Sequence, residues 1–263
     1  MFRRAGNEPG LLRERDEPRK WLGSSPAFDL HDPRLRLKGL SLTQNAPSPR
    51  DKAIALHRFV QRMPYCGGSG TSIMTARQAL DAGAGDCYGK TALFVALLRV
   101  CRIPARIRFV QLRGDVMHGW LWMRPRHVNH CIAEIWLNEA WVRTDTMVYD
   151  RPYMGAAKQA LTNHGWRVGY GICADGLEWW DGRRDSYATF VPDDPASMPL
   201  RDLGVYDDPI SFVATGPRPG EQSAWMQHLS WKLIAKRVTR VTARMRQSQG
   251  RSSGPLAAPA GSR

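Results

Sequence analysis

The stretch AGDCYGKT, Ala84–Thr91, holds residues for two incompatible chemistries. Gly89-Lys90-Thr91, with a small residue five positions before the glycine, is a loose form of a phosphate-binding loop. Gly85-Asp86-Cys87, followed by a long apolar segment, instead mounts a thiol at the start of a helix. A phosphate loop follows a buried strand and wraps its anion in backbone N–H groups. The preceding TARQALDAG has helical character, and Asp86 would bring a carboxylate close to bound phosphates. No apolar strand ends in an aspartate at the spacing of a magnesium-binding partner. No nucleotide is therefore expected as a partner, and Lys90 and Thr91 are read as first-turn residues of a helix.

A cysteine in the first turn of a buried helix meets the positive end of the macrodipole. That placement can lower a thiol pKa from about 8.5 towards neutrality. Asp86 suits an N-cap, and Gly83 and Gly85 let the chain bend into the helix. The plain alternative is a structural cysteine, the role assigned to Cys101 inside the same helix. A nucleophilic Cys87 needs a base and an orienting acid. His130 opens one expected strand and Asp145 closes the next. An even-length turn at Asn138-Glu139 sets residue 136 opposite 141 and Ile132 opposite Asp145. His130 is then one diagonal step from Asp145 on the same face, about 7–8 Å away. Glu134 shares that face but lies about 13 Å from His130. His127, after Pro125-Arg126 in a loop, and His118, with no acid in register, are the rival bases. His130 is the favoured one.

The elements that must position these groups follow from periodicity. Ser48-Pro49 opens a helix with Ala53, Ile54, Leu56, Phe59, Val60 and Met63 at helical spacing. A short helix is expected over 75–82. The segment TALFVALLRVC after Cys87 is apolar almost all round, the mark of a helix at the centre of a fold. Ile103-Pro104 ends it. Short strands are expected over 105–112, 119–123, 130–137 and 140–145. The pattern weakens from 149 to 215.

The 263 residues allow one large domain with tails. No apolar run approaches the roughly 20 residues that span a bilayer. The start MFRRAGNEPGLLRERDEPRK lacks the apolar stretch of a secretory signal. Five cysteines without a CxxC pair fit neither a disulfide framework nor a zinc ribbon, so a cytoplasmic setting is expected. The net charge of +14 is uneven: from Ser223 onward there are eight Lys or Arg and no acidic residue. Residues 1–26 and 248–263 have the composition of disordered ends. Between 223 and 247, Met226, Leu229, Leu233, Val238, Val241 and Met245 form the apolar stripe of a basic amphipathic helix.

Taken in order, GDCYGKTALFVALLRVCRIPAR and NHCIAEIWLNEAWVRTD resemble the transglutaminase-like domain. The shared features are a Gly-Asp-Cys helix start, Leu-Leu-Arg, Ile-Pro-Ala-Arg, a His-initiated strand containing Glu, then Trp-Val and Asp. Ile132, Arg102 and Thr146 stand where the family often has Trp, Gly and Pro. The resemblance implies an α+β fold with a papain-like core over 27–222, its central nucleophile helix packed on an antiparallel sheet. It implies Cys87 as nucleophile, His130 as general base and Asp145 as orienter, without cofactor or metal. The expected chemistry is attack on a protein or peptide amide through a thioester, with hydrolysis favoured over amine transfer. Two other classes remain open. One is a catalytically silent interaction module. The other is an adaptor holding an anionic membrane or nucleic acid through the basic helix.

Overall fold

The computed structural model describes residues 17–68, 73–217 and 224–252. The helix α4 (Cys87–Val100) has no polar face, and its side chains from Lys90 to Arg99 are buried. Three helices surround it on one side: α1 (Pro33–Thr43), α2 (Pro49–Arg62) and α3 (Ala76–Ala82). Each of the four starts on a side-chain cap, from Asp32, Ser48, Thr75 and Asp86, which accepts orphan N–H groups of the first turn. At the far end of α4 the buried Arg99 guanidinium donates to the carbonyls of Ala105 (2.8 Å) and Gly23 (2.7 Å).

Strands β1 (Ala105–Arg113) and β2 (His127–Leu137) close the other side of α4, and β3 (Ala140–Thr144) follows β2. Next come α5 (Arg151–His164), the two-residue strands β4 (Val168–Gly169) and β5 (Ile172–Cys173), then β6 (Arg201–Tyr206) and α6 (Pro209–Thr215). The main sheet has the order β3-β2-β1-β6, every neighbour antiparallel. Asn138 and Glu139 both take positive φ (50° and 63°), the backbone of a two-residue hairpin turn. The turn sets Trp136 opposite Trp141, the expected register. One face of β1 and β2 turns Ile107, Phe109, Cys131, Ala133 and Ile135 into the core towards α4. By strand alternation the other face carries His130, Ile132 and Glu134 with Arg106 and Arg108. The fold is α+β.

Two expectations are corrected. Residues 119–123 are turns and bends rather than a strand: Trp120 and Leu121 both donate to the Met117 carbonyl, and Gly119 has φ 75°. Pro18–Leu22, expected within a disordered leader, forms a 3-10 turn. Its Trp21 ring lies under the guanidinium groups of Arg99 and Arg106. Residues 1–16 and 253–263 lie outside the described residues.

The basic segment forms α7 (Ala224–Ser252), which packs against α5. Ala235, Val238 and Thr242 are buried against the domain; of the apolar stripe, Val238 is buried and Val241 and Met245 are half-buried, whereas Leu233 is 66% exposed. Arg246 grips the Asp150 carboxylate at 2.6 and 2.9 Å and donates to the Tyr65 carbonyl at 2.8 Å. Gly67 touches the helix backbone so closely that an added Cβ would come within 2.3 Å of the Ala235 carbonyl oxygen. Among the described residues no helix is long and apolar enough to cross a membrane. Asp150 is nearly buried and also caps α5, so losing its cation leaves a costly charge. Arg246→Ala is expected to cost about 3 kcal/mol in urea unfolding, with part recovered in Arg246→Lys. An unchanged midpoint would show that α7 docking contributes nothing.

Candidate active site

The loop before Cys87 is fixed at both ends. Gly83 closes α3 in the left-handed region (φ 59°). The Gly85 N–H then donates to the Pro64 carbonyl, and the Cys66 N–H donates to that of Gly85. Asp86 caps α4 by accepting the Gly89 N–H at 2.8 Å, and burial raises its pKa. Cys87 therefore sits at the first position of a helix that the core holds rigid. Lys90 points inward, its Nζ donating to the Met63 carbonyl at 2.6 Å. Burial pulls its pKa down to about 7. A helix, α3, rather than a strand precedes this loop, and Lys90 lies inside the core.

His130 and Asp145 meet on the outer face of β2. The His130 Nε2 is 3.0 Å from Asp145 Oδ2, and both side chains are buried. A carboxylate only accepts, so Nε2 carries the proton and Nδ1 is left for the thiol. Asp145 is held by two further donors: the Ala188 N–H reaches Oδ1 at 2.6 Å, and the Thr189 hydroxyl reaches Oδ2. The backbone of 186–189 comes alongside the end of β3, with Ser186 donating to Arg143 and accepting from Asp145.

Cys87 touches two successive residues of β2, hydrogen-bonding with both His130 and Cys131. Those side chains leave opposite faces of the strand. β3 pairs with β2 only over Ala133–Leu137, short of His130 and Cys131. The Cys131 thiol donates to the Cys87 carbonyl at 3.2 Å.

The rival groups are placed elsewhere. His118 stacks on Trp166, with ring centroids 4.8 Å apart. His127 is exposed at the start of β2. Glu134 is buried among Arg106, Arg108 and Arg143, with N–O distances of 2.6, 2.6 and 2.8 Å. Cys101 lies against Thr43 at 3.5 Å. The sequence reading missed Thr189 and Ala188, which belong to an irregular stretch without periodicity. It also missed Cys131 as a neighbour of the thiol. That one was legible, because Cys131 adjoins His130. Among the described residues no group of three or more His, Cys, Asp or Glu side chains is placed to hold a metal ion.

Residues 39–146 match the model of the transglutaminase-like superfamily, a segment that contains Cys87, His130 and Asp145. This part of the chain is similar to transglutaminase-like domains. Among solved structures, the chain is similar to a candidate cysteine protease from Cytophaga hutchinsonii, at 20% identity and a TM-score of 0.39. The match covers 47% of this chain and 39% of that one. A candidate protease from Parabacteroides distasonis is similar at 12% identity and a TM-score of 0.33, over 48% of this chain and 24% of that one. The chain thus spans well under half the length of either. No curated protein matches it.

Charge at the site runs against the helix-dipole expectation. The contact with Cys131 and then burial push the Cys87 thiol well up, opposed by His130. Burial pulls the His130 pKa down, but Asp145 and Cys87 outweigh it and raise the imidazole to about 9. Below that pH the site holds both a thiol and an imidazolium, and the pair must lose one proton before the sulfur can react. Alkylation of Cys87 by iodoacetamide is therefore expected to climb with pH through about 9. Cys131→Ala should move the midpoint lower. A midpoint at or below neutrality in the unmodified chain would reverse this order of charges.

Proposed function

We propose that this chain is a cysteine enzyme that cleaves a protein or peptide amide, with Cys87 as nucleophile, His130 as general base and Asp145 as its orienter. The observation that carries the reading is the direction of the His130 ring. Asp145, fixed by Ala188 and Thr189, accepts the hydrogen bond from Nε2–H and leaves Nδ1 for the thiol. The transglutaminase-like similarity of residues 39–146 supports the same assignment.

The steps follow from the roles. His130 Nδ1 takes the Cys87 proton as the sulfur attacks the amide carbonyl carbon. The Cys87 backbone N–H, at the orphan end of α4, is suited to stabilise the oxyanion. The Nδ1 proton then passes to the leaving amine, the C–N bond breaks and a thioester remains. Water, deprotonated by His130, attacks the thioester, and the acid departs as the thiol recovers its proton. Cys87 is partly exposed, which favours water over an amine as the acceptor. A primary amine entering at the same point would give a new amide instead.

The test follows acylation of the full chain by a fluorogenic peptide amide, with the adduct located by mass spectrometry. Cys87→Ala is expected to abolish turnover. Asp145→Asn should keep the fold and lower the rate by about four orders of magnitude, because the imidazole loses its tautomer control and the charge that stabilises its protonated form. With glycine methyl ester present, free acid should remain the main product. Full turnover in Cys87→Ala would defeat the proposal.

A further inference from the structure

At the far end of the β1–β2 hairpin lies a cavity of about 420 Å³, walled in part by Arg113, Asp115, Trp122, Arg124, Arg126 and His127. Arg124 is neutralised by Asp115 at 2.5 Å. Arg113 and Arg126 have no acidic partner among the described residues. Their positions are fixed by the backbone: the Gly114 N–H donates to the Arg126 carbonyl at 3.0 Å, and Arg113 faces His127 in the β1–β2 register. Trp122, 88% exposed, offers an aromatic wall, with the Arg237 guanidinium 5.9 Å from its ring.

The cavity lies on the same sheet face as the sulfur neighbouring the nucleophile. Phe109 and Cys131 are paired and fully buried, and Tyr88 of the first turn of α4 meets the Phe109 ring. Beyond them the paired Gln111 and Asn129 are only partly buried, and the paired Arg113 and His127 are exposed. The face thus emerges from under α4 beside Cys87 and runs to the cavity. From Cys131 to His127 it covers roughly 13 Å, the reach of about four extended residues.

We infer that this cavity is the subsite for a carboxylate-bearing side chain of a peptide substrate, about four residues from the amide that Cys87 attacks. The inference rests on the amide chemistry proposed above. Two guanidinium groups without an acidic partner in the wall of one cavity suit a carboxylate, which each can engage with paired N–H donors. The volume admits one or two side chains of a peptide. The aromatic wall packs the neighbouring backbone or an apolar residue. His127 is thereby a substrate-contacting group rather than a base.

The test measures binding without turnover. Full-length Cys87→Ala protein is titrated by fluorescence anisotropy with a fluorescein-labelled peptide alternating Glu and Gly, and with its Gln counterpart, at about 0.1 M salt. The acidic peptide is expected to bind about tenfold tighter or more. Arg113→Glu/Arg126→Glu should abolish that preference, and His127→Ala should weaken it. Lys236→Ala/Arg240→Ala, on the exposed face of α7, should leave it intact. Equal binding of the two peptides overturns the inference, as does a preference that survives in the cavity variant or vanishes in the α7 variant. A single-stranded oligothymidine that binds tighter than the peptide and loses its affinity in the cavity variant assigns the site to phosphate and overturns it too. Turnover by the unmodified chain without an acidic preference sinks the subsite alone. An acidic preference without turnover sinks the amide chemistry and leaves a peptide site.

Discussion

A carboxylate placed inside a protein destabilises the fold unless each of its oxygens finds donors. Asp145 is fully buried, and its three donors come from two distant parts of the chain: His130 of β2, and the Ala188 backbone with the adjoining Thr189 side chain. That one requirement fixes much around it. The end of β3 must turn Asp145 onto the face that holds His130, and the irregular 186–189 segment must lie against the end of that strand. An imidazole fixed at Nε2 in this way has one remaining ring nitrogen and one direction in which to use it. The thiol at the head of α4 lies in that direction.

The sheet divides its two faces between stability and charge. Its inner face is apolar and receives α4, a helix that cannot be solvated on any side. Its outer face holds the His130–Asp145 pair at one end and a buried Glu134 with three arginines at the other. Cys87 meets both His130 and Cys131, whose side chains leave opposite faces of β2. The consequence is a thiol with a base on one side and a second sulfur on the other. The macrodipole favours the thiolate, whereas Cys131 and burial oppose it. The resting site is thus neutral at sulfur, and the thiol–imidazolium pair must lose one proton before the histidine can serve as its base.

The excess positive charge has a similar division. α7 turns Ala235, Val238, Thr242 and the Arg246 head group onto the domain, tying it to the Tyr65–Gly67 segment that adjoins the nucleophile loop. Lys236, Arg237, Arg240 and Arg244 remain on the surface. A second basic region, around Arg113 and Arg126, lies on the sheet face that leads away from Cys87. Charge counted along the chain locates the first of these. The second comes from Arg113 and Arg126 on either side of the β1–β2 connection and is evident only once the two strands are paired.

Local physics made several features legible in the sequence. The apolar run after Cys87 demanded a buried helix, Asp86 demanded a cap, and Asn138-Glu139 with alternating strands on either side set a hairpin register that put His130 and Asp145 on one face. Those features depend on neighbours within a few residues, so composition and spacing carry them. Other features were decided by contacts distant in sequence. Residues 119–123 read as a strand because they are aromatic and apolar, but their N–H groups bond locally and find no partner strand. α5 had its signals, Asp150 before Arg-Pro and Gly165 after, but they lay in a stretch too weakly periodic to be read as a helix. The donors from Ala188 and Thr189 left no trace in the sequence, because they are chosen by where an irregular segment lies against β3. The direction of the Cys87 pKa was likewise beyond reach. The helix dipole is a property of the local chain, but the opposing sulfur comes from a strand 44 residues away. Sequence singled out three groups that the fold brings together, and tertiary packing decided the field around them.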